Sequence, residues 1–269
     1  MAEPSVLQAY VRLVQAQIRS QTQYRTSFCV DVASSALSTL VEAAVVLVVF
    51  RVSPTVGGFG LREVLVMSAL AVFAFDLADL IVGNVERLSL YVRKGMLDAV
   101  LVRPLRVLPQ LLATDFALRR IGRVAQSWVL LVVVLVYADL HWTPGRVLML
   151  VLTPVAGCAL FAAVFVLGAC VAFWFVESGE IANAFTYGGR EFARYPATIY
   201  PGLLRRVFGY GVGLALVGYH PALFLTGHAD PLGGPDWLAW LSPAVAACAW
   251  LIALLMWRTG IRHYRSTGS

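Results

Sequence analysis

Charge is what this sequence has least of. Asp, Glu, Lys and Arg together make up 13% of its 269 residues, against about 25% in soluble domains. Lysine is almost missing: Lys94 is the single lysine among 21 basic residues. Apolar residues reach 59%, too many to bury in one soluble core of this size, and they sit in long unbroken runs. Lipid is the solvent for such a chain. Other absences narrow the chemistry. There is no G-x-x-x-x-G-K-[ST] loop to cradle ATP phosphates, no H-E-x-x-H and no G-x-S-x-G. A membrane hydrolase would thus lack both metal and nucleophile, and any ATP that drives this protein binds to another chain. Cys29, Cys158, Cys170 and Cys248 lie in or beside apolar runs without metal-ligand spacing and read as small buried hydrophobes. His141, His220, His228 and His263 are scattered, so no metal or cofactor is expected in this chain. Nor is a cleavable signal expected, because residues 1–27 are amphipathic and contain no apolar core.

The runs that are present predict an all-α membrane protein with about six spans. Leu7, Tyr10, Val14 and Ile18 share one face over residues 5–24, with Gln8, Arg12, Gln15 and Arg19 on the other. That pattern predicts a helix lying on the membrane surface. Spans follow at about 28–50, 61–83, 124–140, 147–176 and 237–257. The 30 residues of the fourth exceed the roughly 20 needed to cross, so it is expected to tilt, to kink near Pro154 or to project. The last begins and ends on Trp237 and Trp257, where interfacial Trp is expected. Hydropathy puts the fifth crossing at 207–227. A broken or re-entrant element within 180–227 is the alternative, since Pro196 and Pro201 interrupt a helical stretch there. Under it, Arg190 and Arg194 leave the cytoplasmic side.

Counting cations orients the chain. With 1–27, 84–123, 177–206 and 258–269 inside, the inner segments hold 18 basic residues and the outer side 3. This predicts cytoplasmic termini. The basic charge lies between apolar runs, which makes it a topology signal, and nucleic acid is not an expected partner.

Four acids fall within the first two spans: Asp31, Glu42, Asp76 and Asp79. Each would cost about 2.5–3.5 kcal/mol at a helix centre facing lipid, so they are expected to face protein or water. Asp76 and Asp79 are three apart and share a helix face. They form a cation or proton site, or else they pair with Arg at a subunit interface.

The segment 84–123 is longer than a linker between two spans needs. Within it, residues 90–105 (LYVRKGMLDAVLVRPL) hold a Gly, an Arg-Pro break and alternating charges and hydrophobes. They describe a short helix offered to another protein, or a helix lying on the surface with solvated cations.

This stretch resembles the cytoplasmic loop of exporter-type (type 2) ABC transporter permeases, closest to a bacterial branch that includes viologen-exporter-like permeases. The pattern is met by Gly95, Leu97, Asp98, Leu101, Arg103, Pro104 and Leu105, with Arg93 just before it. A second match is Phe192-Ala193-Arg194-Tyr195-Pro196 with Ile199, Tyr200, Pro201, Leu204 and Arg205. A third is Trp257, Arg258, Gly260, Arg262 and Tyr264 through Ser269.

The resemblance implies a permease subunit without catalytic residues, in the cytoplasmic membrane of a bacterium. It implies a second permease, identical or related, and two copies of a separate ATPase that binds ATP and Mg. The loop around Arg93–Pro104 would be the ATPase contact. Asp31, Glu42, Asp76, Asp79, Tyr200 and Pro201 would lie on the translocation path or a subunit interface. The expected cargo is an amphipathic or cationic small molecule. Competing readings are a proton-coupled secondary transporter using Asp76 and Asp79, and a membrane scaffold that transports nothing.

Overall fold

The computed structural model describes residues 25–104, 106–114, 119–175 and 179–264. The expected surface helix over 5–24 lies outside the described residues.

The long apolar runs become helices because only an α-helix satisfies every backbone polar group within one segment in lipid. They are α1 (Arg25–Val52), α2 (Leu61–Val82), α6 (Arg119–Ala138), α7 (Pro144–Cys170) and α10 (Ser242–His263). Shorter helices among the described residues include α3 (Leu88–Arg93), α4 (Met96–Leu101), α5 (Val107–Thr114), α8 (Gly179–Arg194) and α9 (Tyr219–Thr226). Among the described residues, four continuous helical stretches are long and apolar enough to cross a membrane: Leu61–Arg93, Arg119–Ala138, Pro144–Phe173 and Ser242–His263. The 28 residues of α1 span about 42 Å at 1.5 Å per residue.

α2 is the central element. It is apolar on nearly every face, as a helix surrounded by others must be, and Val64, Met67, Leu70, Ala71, Ala74 and Phe75 are fully or almost fully buried. α6, α7 and α8 pack around it, and α10 packs along α7. By contrast Leu37, Leu40, Val48, Val129, Val133, Val136 and Leu251 are exposed. A soluble monomer rarely presents so much apolar surface; here it is the surface that lipid covers.

α7 shows local signals being obeyed. Pro144 sits in the first turn, and the Thr143 hydroxyl caps the helix by accepting from the Arg146 N–H at 3.3 Å. Pro154 lies inside the helix, which continues past it to Cys170 and then as a 3-10 turn to Phe173.

Three boundaries differ from expectation. The second span does not stop at 83 but runs on as a 3-10 turn and α3 to Arg93. The third starts at Arg119, so Arg119, Arg120 and Arg123 belong to the helix and not to a loop. The last runs 242–263, and Trp257 is buried against the Phe173 ring at 5.5 Å rather than facing an interface.

The fifth element is the largest difference. A single crossing over 207–227 is not formed. α8 climbs from the end of the bundle that holds Phe173 toward the end that holds the turn at 53–60. There the Thr198 hydroxyl donates to the Gly57 carbonyl at 2.7 Å. The chain then turns back into the bundle through a π-helical stretch, Arg205–Gly211, where Phe208 stacks on Phe185 of α8. After a bend of 63° it returns as Leu214–Thr226. His228 ends up beside Phe59, 4.8 Å between rings, at the end it started from. Residues 202–226 are therefore a re-entrant hairpin, and α8, whose 16 residues are not among the stretches long and apolar enough to span, runs between the two ends of the bundle. Its polar face lowered its hydropathy, which is why the apolar hairpin stood out instead. The irregular backbone is tolerated because protein covers it.

Gly218 sets how deeply the hairpin seats. A Cβ there would overlap the carbonyl oxygen of Ala193 and come within 3.2 Å of that of Met67. Both obstacles are backbone, so neither can rotate away. Gly218→Ala should destabilise the protein by about 1–3 kcal/mol, the usual cost of overpacking. The melting temperature of the purified protein measures this, and an unchanged value would mean that the hairpin is free to shift.

Candidate functional site

Residues spaced three or four apart line a helix face, and three such faces meet beside α2. From α2 come Ser68, Asp76 and Asp79; from α6 come Arg120, Arg123 and Ser127; from α8 come Tyr187, Arg190 and Arg194. Glu42 of α1 closes the fourth side. Between these helices lies a cavity of about 250 Å³ with Glu42, Asp76, Arg123, Arg190 and Arg194 in its walls.

The charges are almost all paired. The Asp79 side chain is 2% exposed and meets the Arg120 Nε at 3.1 Å and the Arg123 Nη2 at 2.6 Å. Arg120 also donates to the Asn84 side-chain oxygen. The Asn84 amide in turn donates to the Leu112 carbonyl at 2.8 Å, which ties α5 to the end of the second span. On the other side, Glu42 accepts from Arg190 at 3.4 Å and lies 3.1 Å from Arg194. Both guanidiniums also reach Glu191, at 3.3 and 3.1 Å. Arg194 donates to the Ser68 hydroxyl at 3.3 Å, and Arg190 lies over the Phe75 ring at 5.5 Å. Tyr187 donates to Glu86 at 3.3 Å.

Asp76 is the exception. It is buried, the Ser127 hydroxyl lies against its carboxyl, and no guanidinium stands at ion-pair distance among the described residues.

The expected acids thus separate. Glu42, Asp76 and Asp79 come together, and the arginines that pair with two of them belong to this same chain rather than to a partner subunit. Asp31 is on α1, but its side chain lies outside the described residues. Tyr200 and Pro201 are not in the cavity wall. Tyr200 stacks on Phe192 at 4.1 Å and donates to the Glu191 carbonyl, and Pro201 starts the hairpin. Arg120 and Arg123 are not evident as site residues in the sequence because arginines ahead of an apolar run look like loop, and Ser127 carries no signal of its own inside the third span. Their spacing with the buried Leu131 and Val134 was the available signal.

A second functional feature lies at the Phe173 end. α3 and α4 form a helix–turn–helix, reversed at Gly95, whose φ of +66° is a left-handed conformation that glycine adopts without strain. The turn divides the expected contact residues by direction. Leu97 is buried in the core cluster. Asp98 faces the Tyr264 hydroxyl, just past α10; burial, and then this carboxylate, raise the phenol's pKa above its ordinary value. Arg93, Leu101, Arg103 and Pro104 point outward and are exposed. α4 ends at Leu101, two residues before Arg103, as the steric demand of Pro104 on the residue before it requires. Leu105 lies outside the described residues.

The arrangement is a set of paired charges held inside a bundle. Among the described residues no three His, Cys, Asp or Glu are placed to hold a metal ion. What it provides is a polar chamber inside an apolar bundle and a turn offered at one end of it, the parts of a transport subunit. No curated protein and no solved structure matches the sequence significantly. Residues 36–268 match the family described as ABC-2 family transporter protein; the match covers the turn, the cavity and the hairpin, and the chain belongs to that family, as a multi-pass permease subunit of an ABC transporter.

Proposed function

We propose that this chain is the permease half of an ATP-driven exporter for an amphipathic or cationic small molecule, of the bacterial branch that includes viologen-exporter-like permeases. It works in the bacterial cytoplasmic membrane with both termini in the cytoplasm, as the 14 basic residues of 1–27, 84–123 and 258–269 support once α8 and the hairpin are taken off the inner side. A second permease, the same chain or a relative, completes the path, and two copies of a separate subunit bind ATP and Mg. The observation that carries this reading is the two-faced turn at 88–104. Its inner face, Leu97 and Asp98, is built into the bundle, while its outer face, Arg93, Leu101, Arg103 and Pro104, is left for a partner. A turn held in this way transmits a push on its outer side to α2 and α10.

Purification in a mild detergent followed by native mass spectrometry tests the partnership. The expected species contains two permeases and two ATPases, and the purified complex in proteoliposomes should export a lipophilic cation only when ATP is supplied. A proton-coupled transporter remains the competing reading through Asp76 alone, since Asp79 is occupied by two arginines. Transport driven by a pH gradient without ATP would replace the exporter reading with that one.

A further inference from the structure

We infer that the charged cavity and the groove beside it form one amphipathic ligand site, in which a lipophilic cation sets its charged head against Asp76 and lays its apolar body between α1 and α6. The inference deepens the exporter reading by naming the side from which cargo arrives and the residue that reads its charge.

The charge argument comes from the pairing. Arg120 and Arg123 share Asp79, and Arg190 and Arg194 share Glu42 and Glu191. Each of these guanidiniums thus touches at least one carboxylate, four arginines sharing three acids. Asp76 has the Ser127 hydroxyl beside it and no guanidinium at ion-pair distance among the described residues, with Arg190 and Arg123 acting on it from farther off. A carboxylate within a membrane bundle is costly without a partner, and an organic cation in the cavity supplies one.

The shape argument comes from the groove. It holds about 460 Å³ and is walled by Ala36 and Leu40 of α1 and by Ala125, Val129 and Val133 of α6. Gln126 and Leu130 belong to both walls, so the groove and the cavity adjoin. Leu40, Val129 and Val133 are 67%, 53% and 58% exposed, on the surface lipid covers. The site is therefore reached sideways from the bilayer. Its polar inner part and apolar outer part match a molecule with a small cationic head and a chain or ring system behind it, in the size range of ordinary ligand pockets.

The test is calorimetric titration of the full-length chain in lipid nanodiscs, with empty discs subtracted. The probes are decyltrimethylammonium, tetramethylammonium and decyl sulfate. Decyltrimethylammonium should bind at least tenfold more tightly than either of the others, since one lacks the body and the other has the wrong sign. Asp76→Asn should weaken it at least tenfold. Asp76→Glu should stay within about threefold, which separates a charge requirement from a packing one. Val129→Trp, a change on the lipid face, should fill the groove and weaken binding severalfold with an unchanged melting temperature. Full affinity in Asp76→Asn, or decyl sulfate bound as tightly as the cation, would overturn the inference. Binding here needs neither ATP nor a partner. A chain that binds the cation as described but exports nothing with ATP keeps this site and loses the exporter reading; ATP-driven export of the cation that is unaffected in Asp76→Asn does the reverse.

Discussion

Asp79→Ala should be among the most damaging single changes in the membrane part of this chain. The wild-type carboxylate is 2% exposed and neutralises Arg120 and Arg123 together, and Arg120 is also buried. Removing one partner of a buried ion pair leaves the other charge uncompensated, at a cost of about 3–5 kcal/mol. Here two guanidiniums lose their shared counter-ion at once. The damage should spread, because Arg120 holds Asn84 and Asn84 holds the Leu112 carbonyl. A drop in melting temperature of about 10 °C is expected from the scale of one kcal/mol to a few degrees. Thermal unfolding of the detergent-solubilised protein measures it. Arg120→Met in the same background should recover part of the loss, since it removes one stranded charge. A single-variant melting temperature within about 2 °C of wild type would show that water or lipid phosphate reaches the arginines and that the pair is not structural.

The second large effect concerns function, not stability. Arg103 is exposed, beyond the end of α4, and Asp98 faces Tyr264. Arg103→Ala should leave the melting temperature unchanged, as surface substitutions away from such features usually do within about 0.5 kcal/mol. In the proposed complex, however, it removes a charge from the partner contact, and truncating one side of a desolvated interface pair costs about 2–5 kcal/mol. A loss of at least tenfold in ATPase affinity or in ATP-driven export is expected. Asp98→Ala should do the opposite in part: it should lower stability by loosening the turn from the end of α10, and weaken export only as far as the turn shifts. Paired measurements of melting temperature, ATPase binding and export separate the two. Wild-type binding and export in Arg103→Ala would place the contact elsewhere on the loop.

Composition and hydropathy by themselves determined that the chain is an all-helical membrane protein, and roughly where most of its spans lie. These are local properties: a run of about twenty apolar residues has few alternatives to a spanning helix, whatever surrounds it. The cost of a charge in lipid likewise determined that Glu42, Asp76 and Asp79 must face inward. The turn at Gly95 and the break at Pro104 were legible for the same reason, because each follows from the steric limits of one residue.

Only the tertiary structure decided which arginine answers which acid. Asp79 finds Arg123 44 residues away and Glu42 finds Arg190 148 residues away, separations that carry no local signal. Those pairings are also what let Arg120, Arg123, Arg190 and Arg194 sit inside the bundle, where a hydropathy sum counts each as evidence against a span. The same sum favoured a single crossing at 207–227 over the broken or re-entrant element within 180–227, which is the one the chain forms. α8 runs between the two ends of the bundle because its polar face has Glu42, Ser68 and Glu86 to meet, and the returning limb of 202–226 seats closely because Gly218, without a side chain, lets it dock against the α8 and α2 backbones.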